Sequence, residues 1–95
     1  MRKYETIFIA HPSFDEEGVN GLIEKFKGVI TNGGGTVANV DLWGKRRLAY
    51  PIKKVNEGTY VLINFESESV LPKELDRIYR ITDGVLRHII IVLEG

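Results

Sequence analysis

Hydrophobic and polar positions change their period several times along the chain, and each change predicts an element of secondary structure. Residues 4–10 are rich in β-branched and aromatic side chains and stop at a His-Pro pair, which is typical of a strand followed by a turn. Acidic residues at 15–17 suit the first turn of a helix, and the glycines at 33–35 suit its left-handed end. Between them, apolar residues recur at helical spacing: Val19, Leu22, Ile23, Phe26, Val29 and Ile30.

The middle of the chain predicts a long hairpin. Residues 36–42 and 45–52 have the pattern of one long strand that is broken near Gly44. Residues 56–58, Asn-Glu-Gly, are expected to turn the chain, and residues 59–65 return as another strand.

A second helix and a last strand complete the pattern. Pro72 fits the first turn of a helix that ends at Gly84, and residues 86–93 form the last strand. The apolar face of this helix is formed by Leu71, Leu75, Ile78 and Tyr79.

The element order is therefore βαββαβ, which predicts a single α+β domain over residues 1–95. We expect a ferredoxin-like sandwich, in which a four-stranded antiparallel sheet carries two helices on one face. In this topology the first and third strands are central and the second is an edge. Pro51 lies in the second strand, where an edge position tolerates proline.

The first and last strands carry apolar residues on both faces, although the helices can cover only one. Four large aliphatic side chains on the second face would contribute very roughly 6–12 kcal/mol if a partner buried them fully. Exposed apolar patches of this kind usually mark a protein interface. The alternative is that loop or terminal residues fold over the sheet, but no residues after Gly95 are expected to do so. The candidate residues for contact with a partner protein are Ile7, Ile9, Trp43, Ile89 and Ile91.

Positive charge is concentrated in one window of a chain that is neutral overall, with 13 Lys and Arg against 13 Asp and Glu. Residues 43–54, WGKRRLAYPIKK, include five basic residues, two aromatic rings and no acidic residue. Such a window is typical of a surface that binds a phosphate backbone, and also of a solvated hairpin. Because independent nucleic-acid binders usually have excess positive charge, a neutral chain with one basic window predicts binding that is shared with a partner.

The composition argues against several classes of function. The chain has no cysteine, which removes disulfides, thiolate catalysis and cysteine-based zinc sites. His11 and His88 lack the spacing of a metal site, and no nucleophile or paired-carboxylate motif is present. The longest apolar run is too short to span a bilayer, and the N-terminus does not resemble a signal peptide. We therefore expect a cytoplasmic protein that is not an enzyme and needs no metal, cofactor, membrane or small-molecule substrate.

Two alternatives share the βαββαβ order: an RNA-recognition motif and a small-molecule-binding module. The first strand resembles the short signature of an RNA-recognition motif. In the third strand, however, Glu57 occupies the basic position of that motif, and Thr59, Val61 and Asn64 stand where stacking rings belong. The small-molecule module lacks any recognisable ligand-binding motif.

Three segments of the chain resemble ribosomal protein six of the bacterial small subunit: MRKYETIFI, GKRRLAYPIKK followed by GTYVLINF, and RITDGVLRHIIIV. The resemblance runs in order along nearly the whole chain, and residues 46–52 are its most specific piece. It implies a non-enzymatic structural component of the small (30S) ribosomal subunit in the cytoplasm. It also implies binding to the central domain of 16S ribosomal RNA, as a heterodimer with small-subunit ribosomal protein eighteen.

The resemblance places the family's basic positions on Arg2, Lys3, Arg46, Arg47 and Arg87. The first two are expected to lie close to Arg87, because the first and last strands are neighbours in the sheet. Together with the other cations of the basic window and of the second helix, the candidate RNA-binding residues are Arg2, Lys3, Lys45, Arg46, Arg47, Lys53, Lys54, Arg80 and Arg87.

Arg80, Trp43 and Tyr50 each have an interpretation that does not require a binding role. Asp76 lies four residues before Arg80 and offers it an ion pair along the helix. Trp43 is equally compatible with partner contact and with packing inside the hairpin, and packing is favoured for Tyr50.

Overall fold

A computed structural model describes residues 1–93, so the end of the predicted domain at residue 95 lies outside the described residues. The elements follow the order βαββαβ. Their bounds are β1 Arg2–Ala10, α1 Glu16–Asn32, β2 Thr36–Ile52, β3 Val55–Ser67, α2 Leu71–Ile81 and β4 Val85–Leu93. The strands form one antiparallel sheet in the order β2-β3-β1-β4. The predicted fold class and the central positions of β1 and β3 are confirmed.

Helix α1 begins where its sequence offers a side-chain cap. The Asp15 carboxylate accepts a hydrogen bond from the Gly18 backbone N–H at 2.8 Å, which satisfies one of the free donors of the first turn. At the other end, the left-handed residue is Gly34, with φ +87°, while Gly33 has φ −85°. The glycine run is therefore a helix end, as predicted.

The main core lies between the helices and one face of the sheet. The rings of Phe8, Phe26 and Tyr79 pack against one another, with centroid distances of 4.4 to 5.7 Å. Thr6 is fully buried beside them and donates a hydrogen bond to the Ile89 carbonyl at 2.8 Å, so the Tyr79 hydroxyl, 3.0 Å away, donates to Thr6. Burial raises the pKa of Tyr79, which keeps this phenol protonated and able to donate.

The predicted turn between β2 and β3 at residues 56–58 is wrong. The chain turns at Lys53 and Lys54, which have φ of +50° and +67° and lie between the paired residues Ile52 and Val55. Gly58 lies within β3 and serves a different purpose. A Cβ atom at this position would lie 2.4 Å from the Ile9 side chain, so glycine allows a close approach of two strands.

Strand β2 continues through Gly44, where a break was expected. A bulge between Leu42 and Gly44, with φ +88° at the glycine, bends the strand without ending it. A larger bulge lies further along β2. Between the pairs Arg47–Glu57 and Ile52–Val55, β3 contributes one residue while β2 contributes the segment 48–51, Leu-Ala-Tyr-Pro.

Candidate interaction surfaces

The sheet face opposite the helices, the open face, carries a small apolar hollow of about 170 Å³. Four of the five residues predicted to contact a partner protein line it, and the fifth, Ile91, lies two residues beyond Ile89 on β4. The hollow is lined by Ile7, Ile9, Trp43, Tyr60, Arg87, His88 and Ile89. The fold therefore brings the predicted apolar residues together on one surface.

The four aliphatic residues of this surface are not equally available to a partner. Ile9 is only 7% exposed, because it packs against Leu48 and Leu86 in a second, smaller core. Ile89 and Ile91 are 47% and 42% exposed. The expected gain of 6–12 kcal/mol is therefore too large, since it treats all four side chains as fully exposed before binding.

Trp43 both packs within the hairpin and forms a wall of the hollow. Its ring lies nearly parallel to that of Tyr60, at 10° with centroids 6.1 Å apart, and its indole N–H donates to the Asp41 carboxylate at 3.1 Å. The guanidinium carbon of Arg46 lies 5.5 Å from the centroid of the Trp43 ring, within the range of a cation–π contact.

The basic window forms an arm that extends past the end of β1. The last residue of β1, Ala10, pairs with Thr59, so residues 46–58 project beyond it; we call them the basic arm. Arg46 and Arg47 are successive strand residues and point to opposite faces of the arm. Lys53 and Lys54 occupy its tip.

The cations of the arm and its base are exposed and unpaired within residues 1–93. None of the five, Lys45, Arg46, Arg47, Lys53 and Lys54, has a carboxylate within 4.0 Å there, whereas three cations on the helices do. Those three are Lys27, Arg77 and Arg80, which pair with Glu24, Glu74 and Asp76. The positive charge of the arm is therefore free to meet an external anion.

Arg87 of β4 belongs to the same cationic surface as the arm. It donates a hydrogen bond to the Tyr50 hydroxyl at 3.1 Å, and its guanidinium carbon lies 5.7 Å from the centroid of the Tyr50 ring. The hydrogen bond from Arg87 and its positive charge lower the pKa of Tyr50, and the same hydrogen bond raises the pKa of Arg87. The packing role favoured for Tyr50 is not found, because this side chain is 58% exposed.

The expected proximity of Arg2 and Lys3 to Arg87 is wrong. Strands β1 and β4 are antiparallel, so Lys3 pairs with Leu93 while Arg87 pairs with Ile9. Ile9 lies six residues after Lys3 along β1, which corresponds to roughly 20 Å. Arg2 and Lys3 therefore form a separate cationic site at the other end of the sheet.

Arg80 lies on the helix layer, away from the arm. Its Nε is 2.9 Å from one oxygen of Asp76, which confirms the expected ion pair, and His88 Nε2 is 2.6 Å from the other oxygen. The hydrogen bond with His88 is the main reason that the pKa of Asp76 is lowered, and Arg80 lowers it further. The side chain of Arg80 is 72% exposed, so the ion pair does not hide its charge.

No group of three potential metal-ligating side chains comes together in residues 1–93. No helix in the same range has the length and apolar character needed to cross a membrane.

The second core and the contact between Tyr50 and Arg87 were not predicted from the sequence. The weak signal for both was Pro51, which cannot donate to a strand ladder and so favours an irregularity near it. The long separation along the chain between Tyr50 and Arg87 gave no pattern that would join them.

Comparison with known proteins gives consistent matches. A family model described as Ribosomal protein S6 matches residues 3–92. The chain is 69% identical over 94 residues to small ribosomal subunit protein bS6 of Clostridium acetobutylicum, covering 99% of each chain. It is 72% identical over 91 residues to the bS6 protein of Clostridium perfringens, covering 96% of each. The crystal structure of 30S ribosomal protein S6 from Thermotoga maritima is similar with a TM-score of 0.92 and 35% identity, covering 97% of this chain and 87% of that one.

Proposed function

The chain belongs to the ribosomal protein S6 family, and we propose that it binds the central domain of 16S ribosomal RNA as a heterodimer with small-subunit ribosomal protein eighteen. Family membership makes it a protein of the small ribosomal subunit, associated with the ribosome and its RNA. Its role in this family is structural. The finer proposal assigns the RNA and the protein partner to two adjoining surfaces, which meet at Arg87.

The RNA surface consists of the basic arm, its base at Lys45, and Arg87. The single observation that carries this half of the proposal is the set of exposed cations that lack carboxylate partners in residues 1–93. Contacts from such cations to phosphates fix the orientation of an RNA junction and discriminate little between base sequences. Trp43 and Tyr50 each already carry a guanidinium near the ring, which favours phosphate contacts over base stacking.

The remaining candidate cations contribute from other positions. Arg2 and Lys3 provide a second phosphate contact at the far end of the sheet, so the RNA contacts the protein at two places roughly 20 Å apart along the strands. Arg80 retains a largely exposed side chain beside Asp76 on the helix layer, away from the basic arm.

The protein surface is the open face around the hollow. Its apolar floor and the half-exposed Ile89 and Ile91 favour a polypeptide partner over RNA, because a phosphate backbone gains nothing from burying aliphatic carbon. The neutral net charge of the chain supports the same division, since the partner then supplies part of the positive charge that RNA binding requires.

The alternative of an RNA-recognition motif finds no support in the third strand. Thr59 and Val61 point into the core beneath the helices and are 7% and 0% exposed. Asn64 lies on the open face and donates to Glu5 at 3.4 Å. Two of the three motif positions are therefore out of reach of a base.

Salt dependence of RNA binding tests the proposal. The heterodimer with protein eighteen would be titrated against a fragment of the 16S central domain at several salt concentrations. Replacing Arg46 and Arg47 together by alanine should flatten the slope of log affinity against log salt by about one to two units. Replacing Lys27 and Arg77 together by alanine is the matched control, because it removes the same two positive charges from the helix layer. An unchanged slope in the double variant would show that the basic arm is a solvated surface that does not contact RNA phosphates.

A further inference from the structure

We propose that Tyr50 is a positioning residue that holds Arg87 within the cationic surface of the basic arm. In this proposal, the bulge at residues 48–51 brings the Tyr50 side chain to Arg87. This inference rests on the proposed function, because it assigns Arg87 a phosphate to bind. It adds a role for a residue that carries no charge.

The contact joins the two opposite edges of the sheet. Tyr50 is on β2 and Arg87 is on β4, and both β3 and β1 lie between these strands. Three strand spacings amount to about 14 Å in a regular sheet, yet the two side chains are 3.1 Å apart. The two long side chains therefore reach towards each other across the open face, at the point where β2 leaves its ladder with β3.

The bulge and the second core bring Tyr50 close to Arg87. Leu48, 8% exposed, packs against Ile9 and Leu86 and so anchors the bulge over the start of β4. Tyr50 follows two residues later, at the spacing that returns a side chain to the same face. Pro51 has no N–H group, so β2 can leave the ladder at this residue without an unpaired backbone donor.

A phenol orients a guanidinium without neutralising it. Arg87 can donate five hydrogen bonds, and Tyr50 accepts one of them while its ring contacts the guanidinium. Glu74 also orients its partner Arg77, but as an anion it cancels the charge. No carboxylate within residues 1–93 lies within 4.0 Å of Arg87, so its remaining donors and its charge stay available for a phosphate.

A double-mutant cycle in RNA binding tests this role. Arg87→Ala should flatten the salt slope of the heterodimer by about 0.7–0.9 unit, as expected for one lost phosphate contact. Tyr50→Ala should weaken RNA binding about 2- to 10-fold, because a freed arginine must be ordered on binding. The same change made in the Arg87→Ala background should have almost no effect. Tyr50→Phe keeps the ring but loses the hydroxyl that accepts the hydrogen bond, so its RNA affinity should lie between those of the wild type and Tyr50→Ala.

The outcomes separate the positioning role from its alternatives. Equal losses from Tyr50→Ala in both backgrounds would mean that Tyr50 contacts the RNA itself, which overturns the proposal. Urea unfolding serves as the structural control: Tyr50→Ala should leave the midpoint nearly unchanged, whereas Leu48→Ala should lower it.

A measurement on the free protein keeps this inference distinct from the proposed function. The pKa of Tyr50, followed by NMR of its labelled ring, should rise when Arg87 is replaced by alanine, because the hydrogen bond and the positive charge are lost. No rise would show that the contact is absent in solution and would overturn the inference. If wild-type heterodimer shows no salt-dependent RNA binding, the proposed function fails, and the NMR titration still decides whether the contact forms.

Discussion

Replacing Ile89 and Ile91 together by alanine should weaken the heterodimer with protein eighteen. Both side chains lie on the open face of an edge strand, Ile89 lines the hollow, and they are 47% and 42% exposed. A partner that covers the open face would remove this remaining surface from water.

The expected loss follows from the exposed fractions. Fully burying an isoleucine side chain contributes about 1.5–3 kcal/mol, and only the exposed half of each is available to a partner. Allowing for the Cβ that alanine retains, the two substitutions together should cost about 1–2.5 kcal/mol of binding free energy. This corresponds to an affinity about 5- to 70-fold weaker.

Isothermal titration of each variant with protein eighteen, without RNA, measures this loss. The buried halves of the same side chains also stabilise the fold, so the free energy of unfolding should fall by roughly 2–4 kcal/mol, which most domains tolerate. Circular dichroism checks that the variant is folded. Ile81→Ala is the matched control, because Ile81 is 64% exposed at the end of α2 on the other side of the sheet. Equal affinities for the double variant and wild type would refute the open-face interface.

Three further predictions concern stability. His88 lowers the pKa of Asp76, so the ionised carboxylate stabilises the folded state. This contribution is present above the unfolded pKa of about 3.9 and is lost as the pH falls through the folded pKa. Below about pH 4, the free energy of unfolding should therefore fall less steeply with decreasing pH in the Asp76→Asn variant than in the wild type. Superimposable plots of unfolding free energy against pH for the two proteins would contradict this reasoning. Tyr79→Phe removes a buried hydrogen bond and should lower the free energy of unfolding in urea by about 0.5–1.5 kcal/mol; no change would show that the bond contributes nothing. Replacing Lys53 by Asn and Lys54 by Gly should raise the free energy of unfolding by about 1–2 kcal/mol, since both lysines adopt positive φ. The same double variant should bind RNA less tightly, and unchanged stability would rule out backbone strain at the tip.

The sequence predicts the elements and their order well because each carries its own periodic signal. The apolar spacing of α1 and the two-sided apolar strand β4 are local patterns, and the topology follows from their order. The turn between β2 and β3 was misplaced because its usual marker, glycine, is used elsewhere. Gly58 allows β3 to approach Ile9, while two lysines with no turn preference occupy the turn itself.

The candidate site was predicted in its composition but only partly in its geometry. The apolar residues of the open face and the cations of the basic arm follow from alternation within single strands. The relation between surfaces depends on strand direction and on a bulge. Strand direction separates Lys3 from Arg87, and the bulge joins Arg87 to Tyr50. The antiparallel direction of β1 and β4 was part of the predicted topology and already places Lys3 and Arg87 at opposite ends, whereas no short segment encodes the bulge.

Backbone hydrogen exchange, recorded first with protein eighteen alone and then after addition of the RNA fragment, tests most directly whether two adjoining surfaces serve two partners. Protein eighteen alone should slow exchange in β4 and β1 and leave α1 and α2 unchanged, and RNA should then slow exchange in residues 46–54. Protection confined to the two helices on adding protein eighteen, or no further protection of the arm on adding RNA, would contradict the division of the molecule into a protein-binding sheet and an RNA-binding arm.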